Sequence, residues 1–143
     1  MPDYVLLKPG RLDDREFEIM KTHAQAGADT LNKALGKHPA AEFLRMARDI
    51  AGCHHERYDG HGYPAGLAGE AIPLAARLFA LADVYDALVS KRVYKAAFTH
   101  DVARGIILEK PGTQFDPDVV EAFLQCEQDF RKFGQELADE RAA

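Results

Sequence analysis

Several histidines and aspartates in this sequence have the types and spacings found in metal sites. His54 and His55 are adjacent, and Asp83 and Asp86 lie three residues apart within an otherwise apolar segment. His23 belongs to a separate amphipathic stretch and lies beside its apolar face. Imidazole and carboxylate ligands together suit iron, manganese or zinc, and open coordination positions would make such a site catalytic. His23, His54, His55 and Asp83 are therefore candidates for one metal centre.

Each of these residues also has an ordinary structural explanation. Residues three apart on a helix share a face, and buried carboxylates there need a metal, a cation or several hydrogen-bond donors. An ion pair with Arg77 or Arg92, or the capping of a neighbouring helix, would satisfy the two aspartates equally well. A single histidine on an apolar face is more often a hydrogen-bonded core residue than a ligand. In the metal-site interpretation, Glu56 would accept a hydrogen bond from a neighbouring imidazole.

Two cations follow the segment that carries the aspartates. Arg92 and Lys95 lie three residues apart, where they would form a solvated face, complement a helix C-terminus or clamp phosphate oxygens beside a metal. The net charge of −5 and the pI near 5.6 argue against general binding of a nucleic-acid backbone. A small anionic ligand needs only a few local cations and stays compatible with this charge.

Apolar periodicity and helix-end signals predict an all-α bundle of about five helices. Asp13 and Glu16 have capping-box spacing at the start of the first helix, and Asp116 is the predicted N-cap of the last helix. The predicted helices cover about Asp13–Leu35, Pro39–Glu56, Pro73–Ser90, Thr99 to just before Pro111, and Asp116–Ala138. A glycine-rich loop lies between the second and third of them.

The same periodicity predicts which way the candidate residues face. Phe17 begins the core-facing stripe of the first helix. His54 continues the apolar row of the second helix, whereas His55 diverges from it by about 100°. The third helix is apolar nearly all round and is predicted to be the buried central helix.

Length and composition predict one cytoplasmic domain. The chain has 143 residues, of which 47% are hydrophobic, enough for a single core. Nothing approaches the run of about 18 apolar residues that a membrane span needs, and the N-terminus has no signal-peptide pattern. Cys53 and Cys126 are the only cysteines and have no zinc-ribbon spacing, which favours a reducing compartment.

The order of motifs resembles the HD-GYP family, a branch of the HD-domain metal-dependent phosphohydrolases. The motifs are His54-His55-Glu56-x-x-Asp59-Gly60-x-Gly62-Tyr63-Pro64-x-Gly66-Leu67-x-Gly69-x-x-Ile72-Pro73, Ala82-Asp83-Val84-Tyr85-Asp86-Ala87-Leu88, Arg92-x-Tyr94-Lys95 and Gly112-x-x-Phe115-Asp116-Pro117. The segment Lys8-Pro9-Gly10, followed by Glu16 and His23, fits the same family. The resemblance covers about residues 3–125 of a single partial domain spanning 1–143, and 126–143 form a C-terminal helix and tail.

The resemblance implies a helical HD fold with two or three iron or manganese ions. It implies hydrolysis of the bacterial second messenger cyclic di-GMP to pGpG or GMP by a metal-activated water, with no further catalytic side chain. The implied roles are metal ligation by His23, His54, His55 and Asp83, phosphate binding by Arg92 and Lys95, support of the ligands by Glu56, Asp59 and Asp86, and formation of a loop at the edge of the site by Gly62, Tyr63 and Pro64. Diguanylate cyclase domains are the partners implied for that loop.

One departure from the family qualifies these expectations. The His-Asp pair that defines the family would precede Lys8-Pro9-Gly10, and the sequence contains no such pair there. We therefore expect an N-terminally truncated domain with weak or no turnover, an upstream sensor or receiver domain in the parent protein, and apolar faces that favour a homodimer. The alternatives are a non-catalytic regulatory or protein-interaction module and another HD-type nucleotide phosphohydrolase.

Overall fold

Helices alone build the part of the chain that the structure describes. This computed structural model describes residues 2–90 and 97–140, with side chains described up to residue 136. The helices are α1 (Asp3–Leu6), α2 (Asp14–Lys37), α3 (Glu42–Cys53), a 3₁₀-helix (Gly69–Ala71), α4 (Leu74–Val89), α5 (His100–Leu108) and α6 (Pro117–Glu140). Isolated bridges are the only β-pairing within these residues, so the all-α prediction is confirmed. None of the described helices combines the length and apolarity needed to cross a membrane.

The predicted capping box starts α2. The Asp13 carboxylate accepts from the Glu16 backbone N–H at 2.9 Å, and the Glu16 carboxylate accepts from the Asp13 N–H at 2.8 Å. Lys8 also donates to the Glu16 carboxylate and, as the largest cause, lowers its pKa. This reciprocal cap satisfies donors that a helix start leaves unpaired.

Small residues bring α2 and α3 into close contact. A Cβ added at Gly27 would lie 3.3 Å from the Ala51 Cβ, and one at Gly52 would lie 3.2 Å from the Ala28 Cβ. Both distances are tighter than ordinary van der Waals contact, so larger residues would push the helices apart. This close approach determines how far His23 lies from the end of α3.

The bounds predicted for the second helix are wrong at both ends. α3 begins at Glu42, because Ala41 is extended (φ −79°, ψ 91°) and its N–H donates to the His38 carbonyl in a turn. Pro39 therefore belongs to that turn and not to the helix. At the other end, α3 stops at Cys53, so the histidine doublet lies just beyond the helix.

The main core lies between α4, α5 and α6. Its buried members are Leu81, Tyr85, Ala103, Ile107, Phe115, Val119, Val120 and Phe123. The prediction that α4 is buried all round is wrong, because Leu74, Leu78 and Phe79 are 57%, 48% and 43% exposed. α4 packs on α3, α5 and α6, and these described neighbours leave one apolar strip of the helix uncovered.

A buried ion pair ties the start of α4 to the start of α6. Arg77 donates to the Asp116 carboxylate and, at 3.0 Å, to the Ile72 carbonyl, while the other Asp116 oxygen accepts from the Asp118 N–H. Asp116 therefore caps α6 as predicted. In the described contacts Arg77 pairs with Asp116, and so the explanation of Asp83 and Asp86 through Arg77 is wrong.

We predict that Arg77→Met lowers the free energy of unfolding by about 3–5 kcal/mol, because it leaves the Asp116 carboxylate buried without its cation. Urea unfolding followed by circular dichroism measures this change. The control is Lys132→Met, which removes an exposed ion pair with Glu136 and should cost less than about 1 kcal/mol. Equal losses in the two variants would contradict the assignment.

Candidate metal centre

Three imidazoles from two elements meet at one point. The His23 Nε2 lies 3.1 Å from the His55 Nε2 and 3.4 Å from the His54 Nε2. Among the described residues, these histidines form the one group whose candidate ligand atoms all lie within 4.8 Å of one another. The predicted convergence of His23 with the doublet is therefore present in the structure.

The end of α3 explains why both histidines of the doublet face His23. The His54 N–H still donates to the Ile50 carbonyl, but His54 is the C-cap and the chain leaves the helix there. The two rings lie 4.0 Å apart between centroids, with planes tilted by 39°. The divergence of about 100° expected for neighbours on a helix is wrong here, because the helix does not include this pair.

Backbone carbonyls set the direction of two of the ring lone pairs. The His23 Nδ1–H donates to the Met20 carbonyl at 2.6 Å, and the His54 Nδ1–H donates to the Ile50 carbonyl at 2.9 Å. A carbonyl only accepts, so the proton of each neutral ring resides on Nδ1 and the lone pair on Nε2. Two lone pairs then face each other across 3.4 Å. A cation between them would remove this repulsion.

The distances fit a transition metal. Metal–imidazole bonds of about 2.0–2.1 Å separate neighbouring ligand nitrogens by roughly 2.8–3.4 Å in octahedral or tetrahedral geometry. The two measured Nε2 separations agree with this range. Carbonyl acceptors behind ligand imidazoles are the usual second layer of such sites. The residues present therefore fit a bound divalent metal.

The environment keeps the third ring neutral. Burial, followed by the nearby His54 and His23, lowers the pKa of His55 to about 4. At neutral pH His55 thus carries a free lone pair, as metal ligation requires.

Asp83 faces the same space as the histidines without belonging to the tight group. It lines a cavity of about 360 Å³ together with His54, His55 and Tyr63. The carboxylate of Asp83 is not among the ligand atoms within 4.8 Å of one another, although its charge helps to raise the pKa of Tyr63, after burial. Its assignment as a ligand stays a prediction.

Asp86 does not line the histidine cavity with Asp83. The Asp86 carboxylate accepts from the Ser90 hydroxyl at 3.0 Å, and Asp86 lines a different cavity, beside Phe130 and Phe133 of α6. Three residues of helix separate the two side chains by about 60° around the axis, which is enough for them to line different cavities.

Glu56 holds the glycine-rich loop. Its side chain is buried, and its two carboxylate oxygens accept from the backbone N–H groups of Ala65 and Leu67 at 2.7 and 3.1 Å. In the described hydrogen bonds, the Glu56 carboxylate accepts from these loop amides and not from an imidazole. Glu56 therefore supports the site by fixing the loop beside the histidines.

Asp59 shapes the start of the same loop. Arg57 donates to both of its carboxylate oxygens, at 3.0 and 2.6 Å, and the His61 N–H also donates to it. The guanidinium, as the largest cause, holds the pKa of Asp59 well below its usual range. The described side-chain contacts of Asp59 thus lie within the loop and not at the three converging histidines.

The loop places Tyr63 against a candidate ligand. The Tyr63 ring stacks on the His55 ring, with centroids 4.7 Å apart and planes 29° apart, and the Tyr63 N–H donates to the His55 carbonyl. Gly62 lies directly on the chain that follows the doublet, whereas Pro64 is exposed. Gly62 and Tyr63 therefore form part of the wall of the histidine cavity.

α2 contributes two residues to this cavity that were not predicted as site residues. Phe17 and Lys21 line it from α2, although Phe17 was expected in the core stripe and is instead 45% exposed. Their spacing of one helical turn, an aromatic residue followed by a cation, is the signal that could have drawn attention to them. Arg92 and Lys95, the predicted phosphate clamp, lie outside the described residues.

We predict that Gly62→Ala destabilises the protein by more than about 2 kcal/mol. The new Cβ would lie 2.3 Å from the backbone nitrogen of Arg57 and 2.5 Å from the Glu56 Cα, so the backbone would have to move. The control is Gly105→Ala in α5, where nothing lies within 4 Å of the new Cβ and where we expect a gain of about 0.5–1 kcal/mol. Thermal unfolding compares them, and a harmless Gly62→Ala would refute the close approach.

We predict that Glu56→Gln loosens the loop without unfolding the helices. The amide group presents an N–H₂ where the carboxylate accepted a hydrogen bond, which costs about 1–3 kcal/mol. Hydrogen exchange measured by NMR should become at least tenfold faster at the Ala65 and Leu67 amides and stay unchanged at Ala103 in α5. The exposed substitution Glu121→Gln serves as the control. Unchanged exchange at both loop amides would show that Glu56 does not hold the loop.

Comparisons with known proteins show which family this chain resembles. A family model described as an HD domain matches residues 1–119. The chain is 58% identical over 130 residues to a cyclic di-GMP phosphodiesterase of Vibrio cholerae, with 91% of the chain and 26% of that protein aligned. It is 40% identical over 140 residues to a cyclic di-GMP phosphodiesterase of Thermotoga maritima, which covers 98% of the chain and 37% of that protein.

A third relative has a different named substrate. The chain is 38% identical over 139 residues to 3′3′-cGAMP-specific phosphodiesterase 2 of Vibrio cholerae, with 97% of the chain and 26% of that protein aligned. The chain thus spans between about a quarter and two-fifths of the length of these three curated relatives.

Proposed function

This chain belongs to the HD-domain family, and we propose that it provides part of the active site of a metal-dependent phosphodiesterase that hydrolyses cyclic di-GMP to pGpG or GMP. The observation that carries the proposal is the convergence of His23, His54 and His55, with Nε2 separations of 3.1 and 3.4 Å. The relatives named for cyclic di-GMP hydrolysis support the substrate.

The proposed ligands are the three imidazoles together with Asp83, and the proposed metal is iron or manganese. When bound, such a metal supplies a Lewis acid that activates water and neutralises charge on the phosphate. The Nε2 atoms of the histidines would hold it, and the carbonyls of Met20 and Ile50 keep two of the rings oriented for this. Tyr63 limits the motion of His55 by stacking on it.

Other features of the proposal rest on the resemblance alone. Binding of the substrate phosphates by Arg92 and Lys95 stays a prediction, as do a docking role of the Gly62–Pro64 loop toward diguanylate cyclase domains and an upstream sensor or receiver domain. A homodimer also stays a prediction, and it rests on the apolar faces that a truncated domain would leave uncovered. A cytoplasmic location, and no binding to membranes or nucleic acid, are expected from the sequence composition.

We predict that the chain binds Mn²⁺ under anaerobic conditions and that His54→Ala/His55→Ala lowers the affinity at least about tenfold. Removing two of three converging imidazoles leaves no chelating set among the described residues. Elemental analysis after equilibrium dialysis measures the metal content. His38→Ala, which changes an exposed histidine outside the group, should bind metal as the unchanged protein does.

The same samples test the reaction. With Mn²⁺ or Fe²⁺ we expect slow conversion of cyclic di-GMP to pGpG, because the imidazoles hold only part of a binuclear site, and we expect no conversion by the double variant. Absence of both metal binding and turnover would overturn the proposal. Undiminished binding of a protein partner by the double variant, without metal in either form, would favour a regulatory module instead. Turnover of other nucleotides but not of cyclic di-GMP would favour a different HD-type phosphohydrolase.

A further inference from the structure

A cation and two aromatic rings lie together at the mouth of the histidine cavity. The Lys21 Nζ lies 5.1 Å from the centroid of the Phe17 ring and 5.7 Å from that of the Tyr63 ring. The two rings meet edge to face at 6.3 Å, with planes 82° apart. Lys21 and Tyr63 also line a neighbouring open cavity of about 600 Å³. The cluster therefore lies between the histidine cavity and this neighbouring cavity.

The rings of Phe17 and Tyr63 differ in how much of their surface a ligand can reach. His55 covers Tyr63 by stacking on it, whereas the Phe17 side chain is 45% exposed and lines the cavity. Covering an exposed phenylalanine with an apolar surface is favourable, because it removes the ring from water. A stacked nucleobase would do so and typically contributes about 1–3 kcal/mol.

The ammonium group of Lys21 can turn toward a ligand. Its ion-pair partner is Glu18, whose side chain is 69% exposed, three residues earlier on the same helix. Exposed pairs of this kind contribute little free energy. A ligand that offers better acceptors inside the cavity would therefore compete for Lys21 at small cost.

We propose that Phe17 and Lys21 form a subsite for a guanine base of the substrate, with the base stacked on Phe17 and the ammonium donating to its O6 and N7. The inference rests on the proposed function. It adds a reason why the site would prefer guanine to adenine. Guanine presents two adjacent acceptors on this edge, whereas adenine presents one acceptor beside an amino donor. A lysine ammonium only donates, so Lys21 favours guanine over adenine.

The substrates for which similar proteins are named differ in whether one base is guanine or adenine. One relative is named for cyclic di-GMP and another for 3′3′-cGAMP, ligands that differ in a single purine. Proteins built on this domain therefore need a group that reads the edge of a purine. Among the described residues that line the histidine cavity, Lys21 carries a cation on the same helix as an exposed aromatic ring.

Binding measurements on the 143-residue chain test this subsite. Isothermal titration calorimetry in Mn²⁺ compares cyclic di-GMP with cyclic di-AMP for the unchanged protein, Lys21→Met and the control Lys132→Met. Lys21→Met should weaken binding of cyclic di-GMP about tenfold and change that of cyclic di-AMP less than twofold, so that the preference for guanine disappears. Lys21→Arg, which keeps the donors, should retain the preference, and Lys132→Met should bind as the unchanged protein does.

Phe17→Leu tests the stacking separately. It should weaken binding of both dinucleotides about fivefold or more, since every purine has a flat face. Equal effects of Lys21→Met on both ligands, or no effect on either, would overturn the guanine subsite and leave the proposed phosphodiesterase intact. If the unchanged protein bound metal but neither dinucleotide, the proposed function and this subsite would both be wrong.

Discussion

The close packing of α2 against α3 is the constraint on which the candidate site depends. Gly27 and Gly52 allow the two helices to approach until added Cβ atoms would lie 3.2–3.3 Å from the opposing alanines. This approach presents His23 to the end of α3, where the doublet leaves the helix. The resulting Nε2 lone pairs face one another at 3.4 Å, an arrangement that repels itself and that a cation relieves. Packing and chemistry are therefore coupled in this region.

A second layer turns the converged rings into a defined cavity. The buried Glu56 carboxylate binds two backbone N–H groups of the loop, and Gly62 touches the backbone that carries that carboxylate. The loop in turn holds Tyr63 against His55. A buried carboxylate needs compensation, and here the backbone of the loop supplies it. The loop N–H groups thus stabilise the buried charge of Glu56, and Glu56 in turn fixes the loop that forms one wall of the cavity.

α4 presents three surfaces with different surroundings. One side contributes Leu81 and Tyr85 to the core with α5 and α6, whereas Asp83 faces the histidine cavity. A third, apolar strip at Leu74, Leu78 and Phe79 is exposed among the described residues. This division explains why a helix that is apolar nearly all round still carries a carboxylate toward a polar site.

The sequence by itself determined the helical class, the capping of α2 and α6, and the identity of the histidines, because helix periodicity and capping act over a few neighbouring residues. Only the tertiary structure decided which atoms meet. α3 ends at Cys53, and both histidines of the doublet therefore turn toward His23. Asp83 and Asp86 line different cavities, and the Glu56 carboxylate binds backbone N–H groups of the loop. Phe17 is exposed beside Lys21. Such outcomes depend on contacts between residues distant in the chain, and local patterns carry no information about those distances.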